Sequence, residues 1–331
     1  MNIVKTLDLK NQTFWNNLIK EDCIQYNLYS PLHIKYNIEY FIEHSFKDLS
    51  FIILDNNQPI MGAILSVDNC SCLNTSLSGF GTPIYYLESS NTNQTILKKS
   101  KKQFKEYFFS LVDEYSIKSI QYRDFLFKNQ LSFLGKMLLD KKANAIPFFT
   151  SIIDLSMSQE KLHKTLRKSY KSLINWGLKN LTIKILNHKN ITTKDIELFR
   201  NLHINAAKKE TRSKKTWEIQ YEMITNNEAF IITGSNQDKV ITASLYHHNS
   251  KYCYYGVSAS DRNFFDNPIS HAIVWKAILH AKQINCQYFE VGKHLFPTNS
   301  PNKTQKEFDI NTFKNGFGGK TIVRLDVLWK K

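Results

Sequence analysis

Apolar residues along the chain fall at spacings of two and of three to four, so strands and helices alternate throughout. Two hairpins share one pattern. Phe51-Ile52-Ile53-Leu54, a polar turn from Asp55 to Gln58, and Gly62-Ala63-Ile64-Leu65-Ser66 make the first. Phe230-Ile231-Ile232-Thr233, a polar turn from Gly234 to Asp238, and Thr242-Ala243-Ser244-Leu245-Tyr246 make the second, about half a chain later. Ahead of the first hairpin, Asn11 to Ile19 and His33 to Glu43 read as helices, with Ser30-Pro31 as a start signal. After it come a strand broken by Gly79-Phe80-Gly81-Thr82-Pro83, a helix over Asn93 to Tyr115, and strands at Lys118 to Tyr122 and Ile146 to Leu155. After the second come a strand at Tyr252 to Ser258, a helix from Pro268 to Ile284 capped by Asn267, and a strand at Tyr288 to Val291. A short helix at Lys306 to Lys314 and a last strand at Thr321 to Trp329 close the chain. The order of elements recurs twice, which predicts two copies of one unit. Each copy is an α/β unit with a mixed sheet flanked by helices, unlike a doubly wound sheet.

Between the copies, Ser158 to Gly177 reads as one amphipathic helix. Leu162, Leu166, Leu173 and Trp176 fall on one side, and Lys161, Lys164, Arg167, Lys168 and Lys171 on the other. That stripe suits a solvated face or a phosphate-bearing partner. Strand Leu181 to Leu186 and helices at Lys194 to Lys209 and Lys215 to Asn226 then lead into the second hairpin. The expected domains are 1–155 and 156–331.

Composition supports a folded protein. The 331 residues are 42% hydrophobic and 13% aromatic, enough for a sizeable core. The formal net charge of +15 admits RNA, a phosphate-bearing donor or an anionic membrane as partner. Cys23, Cys70, Cys72, Cys253 and Cys286 have no metal-type spacing. Their odd number, without a signal segment at Met1 to Lys10, reads as reduced thiols in the cytoplasm. No apolar run nears the ~20 residues needed to span a bilayer. The expected location is cytoplasmic, with peripheral contact at the inner membrane face as a further option.

Several catalytic patterns fail. Gly318-Gly319-Lys320-Thr321 resembles the end of a P-loop, but Lys314 stands where the first glycine belongs and a strand follows. There is no Gly-x-Ser-x-Gly elbow and no His-Glu-x-x-His helix. His247-His248 alternates across a strand and makes a poor chelate, so no metal is expected. What remains is Tyr254 to Gly319. There a strand ends, the polar loop Asp261-Arg262-Asn263 follows, and a helix opens. Such a helix start collects backbone N–H groups and suits an anion.

The block carries a family resemblance. Lys164-Thr165-Leu166-Arg167-Lys168-Ser169-Tyr170 with Trp176-Gly177, Thr211-Arg212, Tyr254-Tyr255-Gly256-Val257-Ser258 and Phe313-Lys314-Asn315-Gly316-Phe317-Gly318 resemble the FemABX-like branch of the GNAT acyltransferase superfamily. The resemblance is strongest from Gln159 to Trp329. It implies two tandem GNAT-like domains, each with a mixed, mostly antiparallel sheet. It also implies transfer of an acyl or aminoacyl group from a thioester or ester to an amine of a cell-envelope or surface-glycan precursor, small or lipid-linked. Acyl-CoA is one implied donor and aminoacyl-tRNA, as in peptidoglycan-bridge ligases, the alternative. The loop Asp261 to Asn267 lacks the glycines of the usual coenzyme A motif, and little sequence between Trp217 and Phe230 is left for the helical insertion of tRNA-using enzymes. A basic, non-catalytic module for RNA or anionic lipid is a third reading.

Within the resemblance, Lys314 is the candidate donor to a carbonyl oxygen that gains negative charge, or a holder of donor phosphate. Glu290 is a candidate base and Tyr255 a candidate proton donor. Phe313, Arg212, Tyr254, His271 and Arg262 are candidate substrate-binding residues. Each also has an ordinary structural role open to it: Phe313 in the core, Tyr255 on a half-buried strand, Glu290 at a strand end.

Overall fold

The computed structural model describes residues 1–8, 10–21, 27–68, 75–126, 129–299 and 302–331. Cys23, Cys70 and Cys72 lie outside the described residues. Cys253 and Cys286 are buried free thiols. The chain divides into two compact units, Met1–Phe148 with Val323–Lys331, and Phe149–Ile322.

In the first unit, β1 (Asn2–Lys5), β3 (Phe51–Asp55), β4 (Gln58–Ile64) and β7 (Tyr85–Glu88) form an antiparallel sheet in that order. The β3–β4 turn places Asn56 and Asn57 at φ 48° and 60°, the left-handed pair that matches strand twist in a tight hairpin. A second set runs β15 (Lys320–Lys330), β8 (Ser119–Asp124), β6 (Ser76–Ser78), β5 (Ser66–Asp68), β2 (Phe46–Asp48). Helices α1 (Gln12–Glu21), α2 (Pro31–Tyr40), α3 (Gln94–Glu114) and α4 (Phe133–Leu139) belong to this unit. Ser30 caps α2 through the His33 N–H and Asn93 caps α3, as the polar residues ahead of each apolar run predict. Leu97, Phe104, Phe108 and Leu111 of α3 pack on Phe51, Ile53 and Ala63 of the hairpin.

The boundary differs from the expected 155/156. Strand β15 crosses between units, and Leu325 to Lys330 pair antiparallel with β8. Val327 enters the first unit's core, and Arg123 donates to both carboxylate oxygens of Asp326 at 2.6 and 3.0 Å. The last residues therefore belong with the first unit. A linear reading assigns each residue to its neighbours in sequence and misses this return.

The second unit repeats the arrangement. β10 (Thr182–Leu186), β11 (Ala229–Asn236), β12 (Lys239–His248) and β13 (Tyr252–Ser260) are antiparallel, then β14 (Tyr288–Lys293) joins β13 in parallel and β9 (Asn144–Asp154) joins β14 antiparallel. Both sheets thus place the repeated hairpin second and third in a run of four. Helices α7 (Thr193–Ala207), α8 (Lys214–Thr225), α9 (His271–Gln283) and α10 (Gln305–Asn315) complete the copy. α9 begins three residues after the expected Pro268, with Ser270 rather than Asn267 before its first residue.

The single helix expected over Ser158 to Gly177 is two: α5 (Gln159–Thr165) and α6 (Lys168–Asn180). Leu166 and Arg167 are extended between them, and the Arg167 N–H donates to the Gly316 carbonyl at 2.9 Å instead of continuing the helix. The buried face of α6 is consequently Tyr170, Ile174 and Gly177, not Leu173 and Trp176. Among the described residues, no helix is long and apolar enough to cross a membrane.

Candidate active site

The second unit's site begins where two strands part. β13 and β14 pair in parallel only from Tyr252–Tyr288 to Tyr254–Glu290. Beyond that point β13 runs on to Ser260 bonded to β12 alone, while β14 stays with β9. A cavity of about 770 Å³ opens beside the free length of β13, walled by the start of α9 and by α10. Tyr255 and Ser258 line it from β13, and His271 from α9. Lys306, Ile310, Phe313 and Lys314 line it from α10, at the three- and four-residue spacing of one helix face.

Lys314 sits in the last turn of α10. Its Nζ stands 4.7 Å from the centre of the Tyr255 ring, in cation–π contact. Gly292, at φ +126°, gives it room: a Cβ there would lie 3.0 Å from Nζ. Burial pushes the Lys314 pKa below its ordinary value, and the charge of Glu290 pulls it partly back. The Tyr255 phenol is raised by burial, with the hydroxyls of Ser258 and Ser244 bonded to it and opposing the rise.

An aromatic wall fixes the other side. The Tyr170 ring meets His271 edge-on at 4.6 Å and Phe317 at 5.1 Å, and its hydroxyl donates to the Phe313 carbonyl at 2.9 Å. Gly316 lies under this ring, where a Cβ would come within 2.2 Å of Tyr170 Cζ. His271 also contacts Phe313 at 5.0 Å. Burial chiefly, then the positive charge of Arg167, lowers the His271 pKa against the opposing Pro268 carbonyl, so the ring is neutral at pH 7.

Comparison of this architecture with solved structures gives matches over the whole chain. FemX aligns with a TM-score of 0.70 at 11% identity, over 98% of this chain and 97% of its own. A tandem GNAT protein from the clavulanic acid biosynthesis pathway aligns at 0.54 and 9% identity, over 99% and 97%. The C-terminal domain of a putative lysylphosphatidylglycerol synthetase from Agrobacterium fabrum aligns at 0.58 and 8% identity, over 90% and 92%. The fold is that of FemABX-like, tandem-GNAT proteins. No family model and no curated protein matches the chain by sequence.

Within this FemABX-like fold, the structure gathers five of the eight sequence candidates: Tyr255, Arg262, His271, Phe313 and Lys314 line the one cavity. Three stand elsewhere. Glu290 is 4% exposed and bound by hydroxyls, accepting from Thr150 Oγ1 at 2.6 Å and from Tyr252 at 2.5 Å. It shares the face of Tyr254, its register partner, opposite that of Tyr255. Tyr254 stacks on His247, with centroids 6.1 Å apart. Arg212 holds its guanidinium 5.4 Å from the centre of the Trp217 ring, in the α7–α8 connection. Sequence reasoning passed over Tyr170 as a wall residue, and Phe265 and Ile310, which are 63% and 46% exposed at the cavity rim. Large apolar side chains left in water beside a cavity were the available signal, but exposure is not visible in sequence.

The start of α9 has no side-chain cap, and the His271 N–H donates to the Pro268 carbonyl at 3.3 Å. The glycine-poor loop before it forms a 3-10 turn at Arg262–Phe264, capped by Asp261. Arg262 stands exposed on that turn, against the cavity. The Arg262 guanidinium fits a phosphate-bearing donor. Among the described residues, no group of three or more His, Cys, Asp or Glu side chains could hold a metal ion.

Proposed function

We propose that this chain is an N-acyltransferase. It moves an acyl or aminoacyl group from an ester or thioester to an amine of a cell-envelope or surface-glycan precursor. The observation that carries the reading is Lys314: a half-buried ammonium lining a cavity beside diverging strands, with no carboxylate in salt-bridge contact. The amine nitrogen attacks the donor carbonyl, and its lone pair forms the new C–N bond. The carbonyl oxygen gains negative charge, which the Lys314 N–H groups meet directly. Collapse expels the leaving group as alkoxide or thiolate, which takes up a proton from solvent, and the nitrogen gives up its proton to solvent. A fixed cationic donor in a partly dry site is the residue type that stabilises such charge.

Arg262 would hold the donor's phosphate. Coenzyme A, when bound, supplies an activated thioester; an aminoacyl-tRNA supplies an ester. The FemX and lysylphosphatidylglycerol synthetase likenesses support the aminoacyl branch, and the clavulanic-acid GNAT likeness the acyl branch.

Thermal-shift screening with acyl-CoAs, aminoacyl-tRNA and nucleotide-linked amino sugars, followed by mass spectrometry of the products, tests the reading. One donor class should raise the melting midpoint, because a ligand that binds the native state stabilises it. An amide product should then form with an amino-sugar or peptide amine. If neither donor class shifts the midpoint and no amide forms, the proposal fails.

A further inference from the structure

The lysines of α5 and α6 do not line the transfer cavity. From Lys161 to Lys194 the chain holds no aspartate or glutamate. Lys161, Lys164, Arg167, Lys168 and Lys179 are exposed, and none of them has an ion pair among the described residues. Cations elsewhere in this unit do pair: Lys215 with Glu218, Lys239 with Asp261, Lys303 with Glu307. α9 packs on α6 where Gly177 meets Ala272, and it carries no acid either. At about 100° per residue, Lys171, Lys168 and Lys179 lie on the arc of α6 away from the buried Tyr170, Ile174 and Gly177, with Leu178 at one edge and Trp176 at the other. Leu178 is 41% exposed and Trp176 half-buried.

We infer that this face docks the protein on an anionic bilayer. Cations with no counter-charge of their own fit a sheet of lipid phosphates, each Lys or Arg strengthening the partition on the order of five-fold. Lysine stems lie along apolar surface while their ammonium groups stay in water, as at a membrane interface. The apolar edges decide between a bilayer and RNA. A leucine held in water beside lysines gains nothing from a sugar-phosphate backbone, whereas the acyl boundary removes it from water. A tryptophan at the edge of such a face sits at headgroup depth. The docked face adjoins the chemistry. The Arg167 N–H donates to the Gly316 carbonyl at 2.9 Å, and the Tyr170 hydroxyl to the Phe313 carbonyl at 2.9 Å, so the first turn of α6 is tied to the segment that carries Lys314. A lipid-linked amine then meets the protein from the docked side. That consequence rests on the transfer reading; the docking does not.

The test is cosedimentation of the full chain with vesicles of phosphatidylglycerol and phosphatidylcholine in equal parts, and with phosphatidylcholine alone. The chain should bind the mixed vesicles and not the neutral ones. Lys164→Glu/Lys168→Glu/Lys179→Glu should weaken that binding by at least on the order of 10²-fold. Lys98→Glu/Lys99→Glu/Lys105→Glu makes the same charge change at exposed positions of α3. Screening should hold its effect below about five-fold. Leu178→Ser should weaken vesicle binding several-fold at an unchanged melting midpoint, and leave retention of an RNA hairpin as it is. Equal losses in the two triple variants overturn the proposal, because net charge alone then accounts for binding. Vesicle binding that Leu178→Ser leaves intact and the RNA hairpin competes away overturns it in favour of RNA. Absence of binding to the mixed vesicles overturns it as well. No transfer step enters the readout, so failure of the docking and failure of the transfer reading are separate results.

Discussion

Replacing Lys314 by methionine separates the cost of burying a charge from the use made of it. Methionine has similar length and no charge, and it packs well on an aromatic ring. Burial lowers the folded-state pKa of Lys314 from the ordinary 10.5. Between the lowered value and 10.5, the unfolded chain holds the proton and the folded chain does not, so folding stability rises with pH across that window. Below the window both states are charged, and the folded state carries the burial cost in full. Removing the charge should therefore stabilise the protein at pH 7. Loss of the cation–π contact with Tyr255 takes back about 0.5–1 kcal/mol. The net gain should be on the order of 1 kcal/mol, the size seen when an active-site compromise is relieved.

Transfer should move the other way. A single preorganised donor to a developing oxyanion is worth about 2.7–4 kcal/mol, or roughly 10²- to 10³-fold in kcat. Urea denaturation at pH 7 and pH 10, with steady-state transfer at pH 7, reads both effects. The stability advantage of Lys314→Met should shrink toward pH 10, as the wild-type side chain loses its own proton. A lower urea midpoint for the variant at pH 7 would falsify the buried-charge argument. A wild-type kcat would remove Lys314 from the chemistry.

Three further outcomes follow from contacts described above. Gly316→Ala drives a methyl into the Tyr170 ring, and the overpacking should cost about 1–3 kcal/mol in denaturant midpoint, with weaker donor binding as the wall of His271 and Phe313 shifts; an unchanged midpoint would mean that the ring moves freely. Glu290→Gln should destabilise by roughly 2 kcal/mol, because its hydroxyl partners Thr150 and Tyr252 lose a charged acceptor. Its kcat should change little, and a large kcat loss at unchanged stability would instead make Glu290 the base. His33 is buried with its pKa depressed to about 4. The unfolded chain takes up that proton first on acidification, so stability should be fully present above pH 6.5 and fall by ~2–4 kcal/mol as pH drops to about 4. His33→Gln should flatten that part of the profile, and an unaltered acid limb would assign it to other groups.

How much was legible can be traced through particular elements. The hairpins β3–β4 and β11–β12 were readable because turn residues and apolar runs are local signals. The start signal at Ser30-Pro31 was readable for the same reason. The break between α5 and α6 was not. Leu162, Leu166, Tyr170 and Ile174 keep helical spacing across it, so periodicity alone predicts continuity. What stops the helix is a carbonyl from residue 316, which competes for the Arg167 N–H. The return of β15 to the first unit was hidden likewise, since its pairing with β8 joins residues about two hundred positions apart.

Five of the eight candidate residues line one cavity, and that grouping was illegible in the sequence for a physical reason. On α10, Lys306, Ile310, Phe313 and Lys314 hold the spacing that normally marks a core stripe. Here that face borders a cavity, so its mixed polarity reflects the open space it lines rather than a poor helix. Glu290 offered the opposite illusion. A carboxylate near a strand end looks available for proton transfer, yet a one-residue step along β14 turns it to the face away from Tyr255 and into the hydroxyls of Thr150 and Tyr252. Gly292, past a register irregularity that follows Glu290, is the position that matters to Lys314, through the side chain it lacks. A glycine that makes room for an ammonium leaves no compositional trace, and it acquires meaning only when the strands part and α10 is laid against the gap.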